Sequence, residues 1–190
     1  MRLALAYLLT FLLGGLSLLA GAAQAAGCAA GPDHSAALSR LIAGTQAARS
    51  EAEAQQFSVE MWELWADAPD EAAQAVLYRG MRKRARFDLL GAEADFDRLI
   101  AYCPEYAEGW NQRAFVRFMQ GQAAPALKDL DRALALSPRH VGALAGKAMV
   151  LLELGQRQDA RLALEAALAL NPWLPERRFM RLLADDELEL

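Results

Sequence analysis

Residues 107–140 read AEGWNQRAFVRFMQGQAAPALKDLDRALALSPRH, and this stretch decides the fold. Its first half is a helix-forming run that must stop at Gly121, because glycine accepts the left-handed backbone angles that close a helix. Its second half places Ala126, Leu127, Leu130, Ala133 and Leu134 at three- and four-residue spacing, the mark of one helical face. Pro138 ends that run, since it has no N–H and a fixed φ. The stretch therefore predicts two helices joined by a tight turn.

Outward from this stretch the same pattern returns. Pro104, Pro138 and Pro172 lie 34 residues apart, Gly121 pairs with Gly155, Ala114 with Ala148, Ala126 with Ala160, and Ala133 with Ala167. Leu134 and Leu168 share a register, and Leu144 stands where Trp110 would be. The units run over 73–106, 107–140 and 141–174. The first is degenerate: Gly80, Ala92, Phe96 and Ile100 keep step, but Val76 replaces the tryptophan and Phe87 stands where glycine would end the first helix. Hairpins of this kind bury their apolar faces only by stacking. The expected fold is all-α, an alpha-alpha superhelix with N-terminal helices before it and a capping helix after it.

Trp110, Ala114, Gly121, Ala126, Ala133 and Pro138 together resemble the tetratricopeptide repeat. The resemblance implies a non-enzymatic module that binds a protein or peptide partner on a concave face lined by the first helix of each unit. Transferred position by position, that face takes Gln74, Leu77, Tyr78, Met81, Arg84 and Ala85 from the first unit. The second gives Glu108, Asn111, Gln112, Phe115, Phe118 and Met119, and the third gives Gly142, Ala145, Gly146, Met149, Leu152 and Glu153. Tyr78, Met81, Asn111, Gln112, Phe115, Phe118, Met119 and Met149 are the candidate binding residues. The amides offer donors and acceptors to a peptide backbone, and the methionines adapt to varied partners. Family members that grip a terminal carboxylate use basic residues where this chain has Leu77, Asn111 and Ala145, so that function is not carried over. The alternative is a structural, self-associating solenoid whose groove is closed by its own N-terminal helices or another copy. A finer resemblance, on Cys103 to Ala114, Pro138 to Leu144 and Glu60 to Trp65, is to small exported repeat proteins of alphaproteobacteria.

The flanks read separately. Arg2, an apolar run from Leu3 to Ala20, and Ala23-Gln24-Ala25 predict an export signal over 1–25 and a periplasmic protein starting at Ala26. Membrane attachment follows only if that signal stays uncleaved or Cys28 is lipidated. Residues 26–72 are a lead-in followed by a helix over 38–47 and a longer one to Ala66, with Ser50 as its N-cap and Glu53 completing a capping box. Phe57, Met61, Leu64 and Trp65 form an apolar stripe expected to pack on the first repeat. Residues 175–190 are a capping helix, with Phe179, Leu182 and Leu183 inward, and an acidic tail.

Composition excludes much else. A formal charge of −4 and pI of about 5.3 disfavour nucleic acid as a partner. Two histidines and two cysteines leave no metal centre, no cofactor site and no catalytic residues by spacing. Asp129 and Asp131 are two apart on a helix and make a poor acid–base pair. His140 reads as a surface histidine in an inter-repeat turn. An inert Cys103 with a free Cys28 on a flexible lead-in is the expectation, and a Cys28–Cys103 disulfide, which an exported compartment allows, is the alternative that only geometry decides. The basic run Arg79, Arg82, Lys83, Arg84 and Arg86 reads as a solvated helix face opposite the acidic segment 27–72, with docking of an acidic partner or membrane headgroups as the alternative.

Overall fold

The computed structural model describes residues 27–184; the expected signal over 1–25 and the acidic tail from Asp185 lie outside the described residues. The described elements are helical: α1 (Ser35–Ala47), α2 (Glu51–Trp65), α3 (Glu71–Ala85), α4 (Leu89–Tyr102), α5 (Ala107–Met119), α6 (Ala123–Leu136), α7 (Val141–Glu153), α8 (Arg157–Leu170), a 3-10 turn (Pro175–Arg178) and α9 (Phe179–Ala184). Helices α3 and α4, α5 and α6, and α7 and α8 pair as hairpins, and α4 packs on α5 as α6 packs on α7. The chain is an all-α helix-repeat solenoid.

Small residues set its spacing. Ala92, Ala126, Ala133, Ala160 and Ala167 are fully buried between helices. A Cβ on Gly80 would lie 2.6 Å from the Phe96 ring, so α3 and α4 approach here as only glycine permits. Gly121 and Gly155 adopt φ of 74° and 72° and close α5 and α7 with the same two bonds. The N–H of Gln122 donates to Arg117 O and that of Gly121 to Phe118 O, repeated by Gln156 to Leu151 and Gly155 to Leu152. This is the Schellman closure. Phe87 makes it too, at φ 60°, with Asp88 N–H on Lys83 O and Phe87 N–H on Arg84 O.

The 34-residue period extends to a buried ion-pair clamp. Asp95 on α4 accepts from Arg79 at 3.0 and 2.9 Å and lies 2.7 Å from Lys83 Nζ. Asp129 on α6 accepts from Arg113 at 2.9 and 2.7 Å and from Arg117 at 2.9 Å. Both carboxylates are buried, so each needs its cations. Asp131 lies elsewhere, paired with Lys147. The basic run is thus split: Arg79 and Lys83 are held by Asp95, and Arg84 turns toward α5 rather than toward the acidic segment.

The N-terminal helices take a different path from the one expected. Ser50 caps α2 through Glu53 N–H, while Glu53 accepts from Arg49 N–H rather than from Ser50. Met61, with Phe57, Leu64 and Trp65, packs on Leu41 and Ile42 of α1 and on Leu170 of α8, not chiefly on the first repeat. Thr45 Oγ1 donates to Leu170 O, Asn171 donates to Ser58, and Arg139 donates to Ser39. The pair α1–α2 therefore straps the edge of the solenoid where one hairpin passes to the next. Exposed carbonyls at the end of α8 offered a partner that no apolar pattern reveals.

Two further expectations are corrected. Cys28 and Cys103 are joined by a disulfide, with Cα atoms 5.0 Å apart. The lead-in runs back past Pro69 and is tied by a 2.8 Å contact of His34 with Asp67, which carries Cys28 to the end of α4. At the C-terminus Leu183, with Phe179 and Met180, covers Ala148, Leu151 and Leu164, whereas Leu182 is exposed.

Candidate functional site

Helices α5 and α7 diverge around a groove of about 360 Å³, closed at one end by Leu174, Pro175 and Glu176. Its walls are Phe115, Phe118 and Met149, its floor Ala114, Leu130 and Val150, and one side is kept open by Gly142, Ala145 and Gly146. No residue of α1 or α2 lines it, so the N-terminal helices do not close it. Phe115 is 48% exposed, an apolar ring left to solvent at the mouth. The Arg84 guanidinium stands over that ring, 4.7 Å from its centroid.

Of the eight candidate residues, Asn111, Gln112, Phe115, Phe118 and Met149 come together in this groove. Tyr78, Met81 and Met119 do not line it. Tyr78 is an exposed ring on α3, and Met81 packs on the core of the first hairpin. Leu77 and Gln74 are structural: Leu77 is fully buried, and Gln74 bonds both Ala68 N–H and Ala66 O.

The amides are occupied from behind. Glu108, in the first turn of α5, is buried and accepts from Asn111 Nδ2 at 3.0 Å and from Gln112 Nε2. Gln112 Oε1 in turn accepts from Arg84. His140 lies 2.8 Å from Glu108 Oε2, and its Nδ1 accepts Ala143 N–H at 3.2 Å, capping α7. An accepting Nδ1 places the proton on Nε2, which donates to Glu108. His140 is 2% exposed, not a surface residue, because Trp65 stacks on it. Burial alone would push the Glu108 carboxyl up; the hydrogen bonds it accepts from His140 and the two amides outweigh that and hold the group below its ordinary value. Burial pushes the Arg84 guanidinium down, while the Glu108 charge opposes that shift. Asn111 and Gln112 therefore stiffen the groove wall more than they offer free donors.

The sequence reading missed Leu174–Glu176 as the groove's end and the link from Trp65 to α5. The first had a signal, since Pro175 follows the last repeat directly. The second runs through the stacking of Trp65 on His140, far apart in sequence, and had none. Among the described residues, one group has ligand-type side chains close together: Cys28, Asp70 and Cys103. Its sulfurs are bonded to each other, and Asp70 caps α3 by accepting Ala73 N–H at 2.8 Å, so it is a structural group.

Residues 117–176 match the family described as tetratricopeptide repeat. The first TPR of Spaghetti (RPAP3) bound to an HSP90 peptide is similar at 19% identity and TM-score 0.60, covering 62% of this chain and 94% of that one. The Sgt2 TPR domain from Aspergillus fumigatus is 16% identical with TM-score 0.60, covering 63% and 82%. The Yersinia enterocolitica type III secretion chaperone SycD, in complex with a peptide of the translocator YopD, is 16% identical with TM-score 0.53, covering 63% and 92%. Among curated proteins none matches the chain. The chain has a tetratricopeptide-repeat fold.

Proposed function

We propose that this chain is a non-enzymatic protein-binding module, an adaptor or assembly factor, that takes a peptide or helix from its partner into the groove between α5 and α7. The observation that carries the reading is the open apolar groove itself, with Phe115 exposed at its mouth and a wall stiffened from behind by Glu108. Exposed aromatic and methionine side chains around a preformed cleft are what a binding hot spot requires. Two structures of the same fold, the Spaghetti repeat and SycD, are described with bound peptides, which supports the reading by analogy of fold.

The module works, in this reading, in the periplasm, as one of the small exported repeat proteins it resembles. The Cys28–Cys103 disulfide supports an oxidising compartment, and among the described residues no helix is long and apolar enough to cross a membrane. A photo-crosslinking residue at position 115, expressed in the exporting cell, tests the groove, with position 162 on the other side of α8 as control. The reading expects a discrete adduct to another protein from 115 and none from 162. An adduct between two copies of the chain would replace it with self-association.

A further inference from the structure

The turn between α3 and α4 presents an apolar tip that no other element among the described residues covers. Phe87 holds the left-handed position that Gly121 and Gly155 hold in the other hairpins, although a bulky side chain there is strained. It is 77% exposed, as is Leu90 three residues later. A turn selected only for folding would carry glycine, as its two counterparts do. The tip instead keeps a large apolar side chain in solvent at a cost to stability.

The charge around it is positive. Arg82 and Arg86 are exposed, one helical turn apart on α3 and at its cap, and neither pairs with a carboxylate among the described residues. Asp95 is clamped by Arg79 and Lys83 and Glu93 is held by Arg117, while Asp88, an exposed carboxylate within the tip, caps α4 by accepting Gly91 N–H and leaves the two guanidiniums in excess. The strap of α1 and α2 lies at the opposite end of the repeat helices, about 20 Å away for helices of this length. The tip projects without competing with it.

We infer that the Phe87–Leu90 tip, flanked by Arg82 and Arg86, docks the module on an anionic lipid surface. A protruding apolar turn suits a fluid interface, which needs no complementary pocket, and exposed guanidiniums beside it meet lipid phosphates. The groove lies elsewhere, on α5 and α7, and stays available to a protein partner.

Vesicle flotation of the exported protein tests this, comparing phosphatidylglycerol-containing vesicles with pure phosphatidylcholine. Selectivity for headgroup charge is the readout, since an apolar leader would partition into both. The expected result is about tenfold tighter binding to the anionic vesicles, lost in high salt. Arg82→Gln with Arg86→Gln abolishes that selectivity. Phe87→Gly with Leu90→Ser weakens binding by a similar factor while the melting temperature does not fall, because glycine relieves the turn. Equal binding to both vesicles, unchanged selectivity in the arginine double variant, or unchanged affinity in the Phe87/Leu90 double variant overturns the proposal. Binding of an acidic protein through this tip without vesicle binding overturns it as well.

Discussion

The indole of Trp65 stacks on the imidazole of His140 with centroids 4.3 Å apart and planes 11° from parallel. Through it the end of α2 reaches the base of the groove, because His140 donates to Glu108 and Glu108 fixes Asn111 and Gln112. Removing His140 leaves a buried carboxylate with amide partners alone. His140→Ala should cost about 3–5 kcal/mol of stability, whereas the same change in a Glu108→Gln background should cost much less. A double-mutant cycle read by denaturant melts checks this, and additive losses would show that the pair is not coupled.

The Asp95 clamp gives a pH prediction. Burial would raise the Asp95 carboxyl, but Arg79 and Lys83 bond and neutralise it, and it falls from 3.8 to about 2. A carboxyl lowered in the folded state stabilises fully above its unfolded value and loses that contribution as pH falls through the folded one. Stability should therefore drop between pH of about 4 and about 2, and Asp95→Asn should flatten that part of the acid titration followed by circular dichroism. Glu108, also lowered, adds loss in the acid range with the same sign. An unchanged acid midpoint in Asp95→Asn would count against the clamp.

The three hairpin turns should respond in opposite ways to exchange. Gly121→Ala and Gly155→Ala place a Cβ at φ above 70° and should each cost about 1 kcal/mol. Phe87→Gly should leave stability level or raise it by a similar amount. Thermal melts of the three single variants decide the matter.

The disulfide closes a 75-residue span. Its loss should cost about 4 kcal/mol on the chain-entropy account. Intact mass before and after alkylation shows the bond, and a melt with reductant or of Cys28→Ser shows its weight. Alkylation of two thiols in protein taken directly from the exporting cell would contradict it.

The hairpins were legible because their determinants are local: Gly121, Gly155, Pro138 and the alanine spacing each act within a few residues. The resemblance to the tetratricopeptide repeat, transferred position by position, is what assigns Phe118 and Met149 to the groove. What escaped depends on tertiary path. The period that aligned the alanines also aligns Arg79 with Arg113 and Asp95 with Asp129, so the clamp had a signal that reading for apolar residues passes over. The burial of His140, the disulfide and the docking of α1 on α8 arise from where the N-terminal strap lies, and nothing local in residues 27–66 encodes that.

The central claim is that the groove between α5 and α7 is where a partner binds. The most direct measurement is a titration of the protein captured from position 115 against the parent, Phe115→Ala with Met149→Ala, and Leu162→Ala. Truncating the exposed Phe115 and the half-buried Met149 should weaken binding by about tenfold or more, with the melting temperature nearly unchanged for the Phe115 position and Leu162→Ala binding like the parent. If the groove double variant binds as tightly as the parent, the partner sits elsewhere and the claim fails.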